Sequence, residues 1–270
     1  MRAAVVGKPI AHSLSPVIHE AGYAAAGLTG WSYTRLECGA EELPDLVAGL
    51  GPEWAGLSVT MPGKEAALAL ADQVSPVAAA VGAANTLVRR PDGSWYADNT
   101  DVTGMVEVLA AAGCASGVVV TVLGAGGTAR AALAAAARLG AAEVTVVARR
   151  PEAVHELRPV AGAVGVPLTG AAWDGAPSHA RADVVISTVP KGVADPLAEN
   201  FDWRPGTVFF DALYDPWPTP LAAAALAAGC RVVSGLDLLL AQAVGQFEQF
   251  TGVPAPREAM AAALAAARAG

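Results

Sequence analysis

The sequence predicts an α/β protein of two domains, the second of them doubly wound. Three observations carry that prediction. The stretch Val118–Leu133, VVVTVLGAGGTARAAL, joins a β-branched run to an Ala-rich run through a turn holding Gly124, Gly126 and Gly127, which reads as strand, tight turn, helix. On both sides of it short apolar runs alternate with helix-forming runs, the pattern of a parallel sheet with crossover helices. The chain has 270 residues, long enough for two cores.

Composition excludes several classes of function. Hydrophobic residues make up 54% of the chain and charged ones 16%, yet no uncharged apolar run reaches the roughly 20 residues that span a bilayer. The opening segment MRAAVVGKPIAHS is too short for a secretory signal, so a soluble cytoplasmic protein is expected. A net charge of -8 argues against nucleic acid or a membrane surface as partner. Cys38, Cys114 and Cys230 are odd in number and lack CxxC spacing, so free, buried thiols are expected. The four histidines show no metal-ligand spacing, so no metal is expected and chemistry falls to Lys, Asp, Ser, Thr, Asn and Tyr.

In chain order, Ala3–Val6 reads as a strand ending at Gly7, followed by a loop and a helix for which Ser15 is the N-cap and Pro16 the first helical residue. Capping does not account for Ser13, and two hydroxyls at a strand-to-helix loop suit a small anion or a polyol. Trp31–Leu36 is the next strand, Ala40–Leu50 a helix and Gly56–Val59 a third strand. That strand runs into LSVTMPGKEAALAL, which puts Thr60 at its carboxyl end and Lys64 at the start of a helix. The helix dipole disfavours a cation there, so another group must want Lys64 in place. Thr86–Arg90, the PDG turn at Pro91–Gly93 and a short strand after it read as a hairpin. Asn85 precedes the hairpin, and Asn99, Thr100 and Asp101 close it. Either Thr100 or Asp101 suits the N-cap of the following helix, which Gly113 ends.

The turn at Gly124 is GxGxxA, with Ala129 as the third small position. Such a turn lets a diphosphate approach backbone N–H groups at a helix N-terminus. Glu143–Ala148 is the next strand, and Arg149 and Arg150 follow it. An acid at this position accepts bonds from a ribose 2′-hydroxyl, whereas a guanidinium suits a 2′-phosphate, so the residues point to NADP. Ala161–Ala180 is weakly patterned, with at most one short strand. Asp183–Ser187, Thr207–Phe210 and Arg231–Val233 are strands that each end in a polar loop, and Tyr214 or Asp237 is placed to face the nicotinamide end. Gln242 lies on an otherwise apolar helix, where an amide costs free energy unless it is hydrogen-bonded. An Ala-rich helix, Glu258–Ala269, follows.

With these pieces together the chain resembles the shikimate dehydrogenase family (shikimate/quinate dehydrogenases) over nearly its full length. The resemblance rests on an ordered set: SLSP at Ser13–Pro16, SVTMPGK at Ser58–Lys64, GAANT at Gly82–Thr86, NTD at Asn99–Asp101, GAGGTA at Gly124–Ala129, DALYDP at Asp211–Pro216 and LLLAQAVGQF ending at Phe247. It implies reversible, NADP-dependent reduction of 3-dehydroshikimate to shikimate on the way to aromatic amino acids. The implied architecture is a substrate domain over residues 1–100, to which 238–270 return, and a Rossmann-type NADP domain over 101–237. Its C-terminal helices pack back on the first domain. Carried over by position, Lys64 and Asp101 match the catalytic pair. Ser13, Ser15 and Tyr214 match carboxylate-binding positions, and Thr60, Asn85, Asp101 and Gln242 those for ring hydroxyls. Gly124, Ala125, Gly126, Gly127, Thr128, Ala129, Arg149 and Arg150 match the NADP site or its neighbours, and Gly235 and Leu238 lie beside the nicotinamide.

The chain departs from the family at Ser58 (commonly Asn), Gly63 (commonly bulkier), Val102 (often Gly), Ala148 (commonly Asn), Ser187 with Val189 (Asn-Ala-Thr) and Leu238 (commonly Met). These touch cofactor affinity and fine specificity more than reaction type. Two other readings stand beside the first: a dehydrogenase for quinate or another cyclic polyol acid, and a non-catalytic NADP-binding sensor on the same fold. A monomer or homodimer is expected, with a small-molecule substrate.

Overall fold

The computed structural model describes residues 1–269, and its contacts divide the chain into two compact units. One comprises Met1–Asp101 with the chain from Leu239 onward, the other Val102–Leu238.

The first unit contains β1 (Arg2–Gly7), α1 (Ser15–Ala25), β2 (Ser32–Glu37), α2 (Leu43–Ala48), β3 (Trp54–Val59), α3 (Lys64–Leu70), β4 (Gln73–Val74), α4 (Pro76–Val81), β5 (Thr86–Arg89) and β6 (Trp95–Asp98). Its sheet has the order β2-β1-β3-β5-β6-β4. β1 pairs in parallel with β2 and β3, while the β5–β6 hairpin runs antiparallel to β3. The sheet is therefore mixed rather than wholly parallel, because a two-strand hairpin needs no crossover helix. β1 is buried along all but its first residue, as an apolar run covered on both faces must be.

α5 (Thr100–Ala111) then leads to β7 (Val119–Leu123), α6 (Gly127–Arg138), β8 (Glu143–Ala148), α7 (Pro151–His155), α8 (Arg158–Val164), β9 (Leu168–Ala172), β10 (Val184–Ser187), β11 (Val208–Asp211), α9 (Pro220–Ala227) and β12 (Arg231–Ser234). The second sheet, β12-β11-β10-β7-β8-β9, is parallel throughout, the doubly wound order. Its core gathers Leu123, Val185, Phe209 and Leu221, and α6 buries seven residues, six of them Ala, so helix and sheet approach closely. The weakly patterned stretch holds one strand, β9, as expected, together with α8 and a 3-10 turn over Trp173–His179.

α10 (Gly235–Thr251) and α11 (Arg257–Ala269) end the described chain, and α11 packs on α1 within the first unit. Gly22 on α1 lies against Phe247 and Met260. A Cβ on Gly56 of β3 would run into the Phe250 ring and the Leu87 carbonyl, so only glycine lets α10 lie this close. No helix among the described residues is long and apolar enough to cross a membrane. Cys38 and Cys230 are buried free thiols, but Cys114, just past the end of α5, is only half-buried.

Candidate active site

Lys64 is the first residue of α3, where the dipole opposes its charge. Asp101 supplies the missing attraction: Nζ stands 2.6 Å from Oδ2, and the two side chains are only 18% and 13% exposed. Asp101 lies in the first turn of α5, where a carboxylate is favoured. Its other oxygen, Oδ1, accepts a hydrogen bond from Asn85 Nδ2 at 2.9 Å. Asn85 Nδ2 also stands 3.5 Å from Gln242 Oε1, and Gln242 Nε2 donates to the Leu239 carbonyl. Lys64, Asn85, Asp101 and Gln242 thus form one polar group.

Neither Thr100 nor Asp101 caps α5, contrary to the sequence expectation. Both are helical, and the Thr100 N–H is taken by Asn85 Oδ1 at 2.8 Å. The residue before the hairpin therefore caps the helix after it, which frees the Asp101 carboxylate for Lys64. Ser15 is likewise not an N-cap. Leu14 is already in the α region, so the helix starts one residue earlier than expected. The Ser15 N–H instead donates to Ser13 Oγ at 3.3 Å, and the two hydroxyls lie 3.3 Å apart. Arg35 anchors this loop by donating from Nε and Nη2 to the Ser13 carbonyl. Thr60, just past β3, is half-buried.

Tyr214 belongs to the second unit. Its loop is held by the buried Asp211 carboxylate, which accepts from Leu213 N at 3.1 Å and Thr219 Oγ1 at 2.8 Å. Burial pushes the Asp211 carboxyl and the Tyr214 phenol up from their ordinary values. Asp237 accepts from the Ser234 N–H and hydroxyl, so it anchors its own loop. Gly235, at the start of α10, meets the Ala212 backbone so closely that a Cβ would overlap it, and Leu238 is buried.

The glycine turn keeps distinct reasons for its three glycines. Gly124 has φ +100°, and a Cβ there would also meet Thr188 Oγ1 at 2.7 Å. Gly126 and Gly127 would meet nothing within 4 Å, so they leave open space in front of the α6 N-terminus, where N–H groups have no intrahelical partner. Ala125 and Thr128 are half-buried and Ala129 is fully buried against the sheet. Arg149 and Arg150 are exposed just past β8, and Glu152 follows them in the first turn of α7. Open space, donors and guanidinium charge together fit a phosphorylated dinucleotide.

Five buried polar residues escaped the sequence reading as members of this group. Tyr33, Ser58, Thr86, Thr100 and Gln246 surround Asn85 or connect to it. Gln246 was findable, since it lies four residues from Gln242 on the same apolar helix and carries the same desolvation cost.

Comparison with known proteins matches residues 5–87 to the shikimate dehydrogenase substrate binding domain and residues 235–265 to the shikimate 5'-dehydrogenase C-terminal domain. A shikimate dehydrogenase (NADP(+)) of Methylobacterium radiotolerans is 42% identical over 269 residues, covering 95% of this chain and 93% of that one. The crystal structure of a Mycobacterium tuberculosis shikimate dehydrogenase aligns with a TM-score of 0.90 at 52% identity, covering 98% of this chain and 99% of that one. A Thermus thermophilus shikimate 5-dehydrogenase in complex with NADP(H) and shikimate aligns with a TM-score of 0.86 at 33% identity, covering 99% of each chain.

Proposed function

Because the chain belongs to the shikimate dehydrogenase family, we propose that it reduces 3-dehydroshikimate reversibly to shikimate with NADPH in the cytoplasm. The observation that carries this is the Lys64–Asp101 pair, 2.6 Å apart and largely buried, with Asn85 on the second carboxylate oxygen.

NADPH held at this site would supply the hydride. Everything else falls to side chains of the protein. A ketone oxygen that gains negative charge needs a nearby positive charge and a proton, and Lys64 Nζ offers both. Asp101 holds that ammonium through Oδ2, so little orientation remains to be lost in the transition state. Asn85, bonded to Asp101, and Gln242, which reaches Asn85, suit the ring hydroxyls, with Thr60 four residues before Lys64 at the end of β3. Ser13 and Ser15 present paired hydroxyls suited to a carboxylate, the role that the family resemblance also gives Tyr214. The α6 N-terminus at Gly126–Ala129 would hold the diphosphate and Arg149, with Arg150, the 2′-phosphate.

Steady-state oxidation of shikimate and quinate, each with NADP and with NAD, tests the proposal. Shikimate with NADP is expected to be the best pair, and Lys64→Met to lower its kcat by about 100-fold or more while NADP still binds in a fluorescence titration. Nucleotide reduction with no pair would overturn the enzymatic reading and leave an NADP-binding sensor. Quinate with NAD as the best pair would overturn the substrate and cofactor assignment.

A further inference from the structure

Behind Asn85 lies a run of buried polar side chains that the reaction itself leaves without a task. Two backbone groups, whose polarity cannot change, fix the direction of every bond in it. The Asn85 carbonyl can only accept, so Gln246 must turn its Nε2 toward it, at 3.0 Å, and the same Nε2 donates to Thr86 Oγ1 at 3.1 Å. Gln246 Oε1 then faces Ser58 Oγ at 2.7 Å. The single Ser58 proton goes to that oxygen, and a Ser58 lone pair accepts the Tyr33 phenol at 2.6 Å. At the other end the Thr100 N–H can only donate, which fixes Asn85 Oδ1. Oδ1 also takes the Thr86 proton at 2.8 Å, so Nδ2 is left pointing at Asp101 Oδ1. Flipping Gln246 would set its oxygen against the Asn85 carbonyl, and flipping Asn85 would set a donor against the Thr100 N–H.

All the bonds from Tyr33 to Asp101 therefore run donor to acceptor in one sense, through Ser58, Gln246, Thr86 and Asn85. We propose that Tyr33, Ser58, Gln246 and Thr86 are positioning residues for the reaction: they reinforce, through the Thr86 hydroxyl, the orientation that the Thr100 N–H gives the Asn85 amide, and so hold Asp101 and through it Lys64. The members are buried, and a buried polar network orients strongly only when each group in it is satisfied. The relay also explains why Ser58 serves where a larger amide is common in the family. Its single hydroxyl joins a phenol on one side to an amide on the other. This inference rests on reading Lys64 and Asp101 as the reacting pair.

Thr86→Val keeps the shape and removes the link between Gln246 and the Asn85 side-chain amide, leaving the bond to the Asn85 carbonyl in place, whereas Thr86→Ser keeps both. Thr86→Val is expected to lower kcat about tenfold, with KM for NADP unchanged and the Asn85 side-chain amide resonance displaced in 15N NMR. Thr86→Ser is expected to restore both. Tyr33→Phe, which keeps the ring, is expected to lower kcat less and to displace the same resonance, and it serves if Thr86→Val does not fold. A variant pair with parental kcat, an unmoved Asn85 resonance, or a loss that Thr86→Ser fails to restore would each overturn the relay. A parental protein without dehydrogenase activity would sink the reading beneath it, and the Asn85 resonance would still decide whether the relay orients that amide.

Discussion

Replacing His19 with phenylalanine should make the protein less sensitive to acid. The His19 side chain is fully buried on α1, its ring stacked on Tyr33 with centroids 4.1 Å apart and planes 6° from parallel. Tyr23, Phe247 and Phe250 complete the surround. Neither ring nitrogen meets a hydrogen-bond partner. Burial pushes its pKa from 6.5 down to about 3, against a smaller opposing effect of the Gln246 side chain. Below pH 6.5 the unfolded chain thus binds a proton that the folded one refuses. The stability that neutral His19 allows is complete above that pH and is lost as pH falls toward about 3. The slope is at most about 1.4 kcal/mol per pH unit, so about 2 kcal/mol is lost by pH 5. That is a large share of the roughly 5–15 kcal/mol that holds a typical domain folded. Urea unfolding of parent and His19→Phe from pH 7.5 to 5 reads the difference directly, because every other titrating group cancels between the two. Phenylalanine keeps an aromatic ring against Tyr33. Parallel stability curves would refute the reasoning, and a parent that gains stability over the variant in acid would show a folded-state partner for the imidazolium.

Two further outcomes follow from other parts of the structure. If Arg149 binds the 2′-phosphate as proposed, Arg149→Ala should raise KM for NADP by about 10-fold or more while leaving that for NAD nearly unchanged; equal effects in the same steady-state assay would overturn that assignment. Gly56→Ala should cost about 1–3 kcal/mol or more in thermal unfolding, because its Cβ has to displace the Phe250 ring or the Leu87 carbonyl.

The second unit was legible because each of its signals is local. A β-branched run, a glycine turn and an Ala-rich run sit together at Val118–Leu133, and the strand at Glu143–Ala148 has the predicted limits. The reading of Lys64 also began locally, as a cation at the wrong end of a helix, and that conflict pointed to a partner. What escaped depended on contacts distant in sequence. The cap of α5 comes from Asn85, 15 residues earlier, and no local rule for Thr100 or Asp101 anticipates that. Ser15, expected as the N-cap, is instead the first helical residue, because one residue of φ/ψ at Leu14 decides where the helix begins. Tyr33 and Gln246 come from strand β2 and helix α10, and nothing in either segment says that both meet Ser58.

The empty space beside Gly126 and Gly127 sets up a conflict for anyone hardening this protein. Neither residue has a positive φ, and neither would clash with a protein atom if it gained a methyl group. Alanine at such sites restricts the unfolded chain and raises stability by about 0.4–1 kcal/mol. A screen that scores only thermal resistance would therefore accept these changes, while it would reject the same change at Gly124, whose φ is +100°. The methyl groups would occupy the room that the proposed cofactor site leaves for a diphosphate. Heat tolerance and cofactor affinity would then move in opposite directions through a pair of atoms, and selection for the first alone would erode the second without any sign in the melting curve.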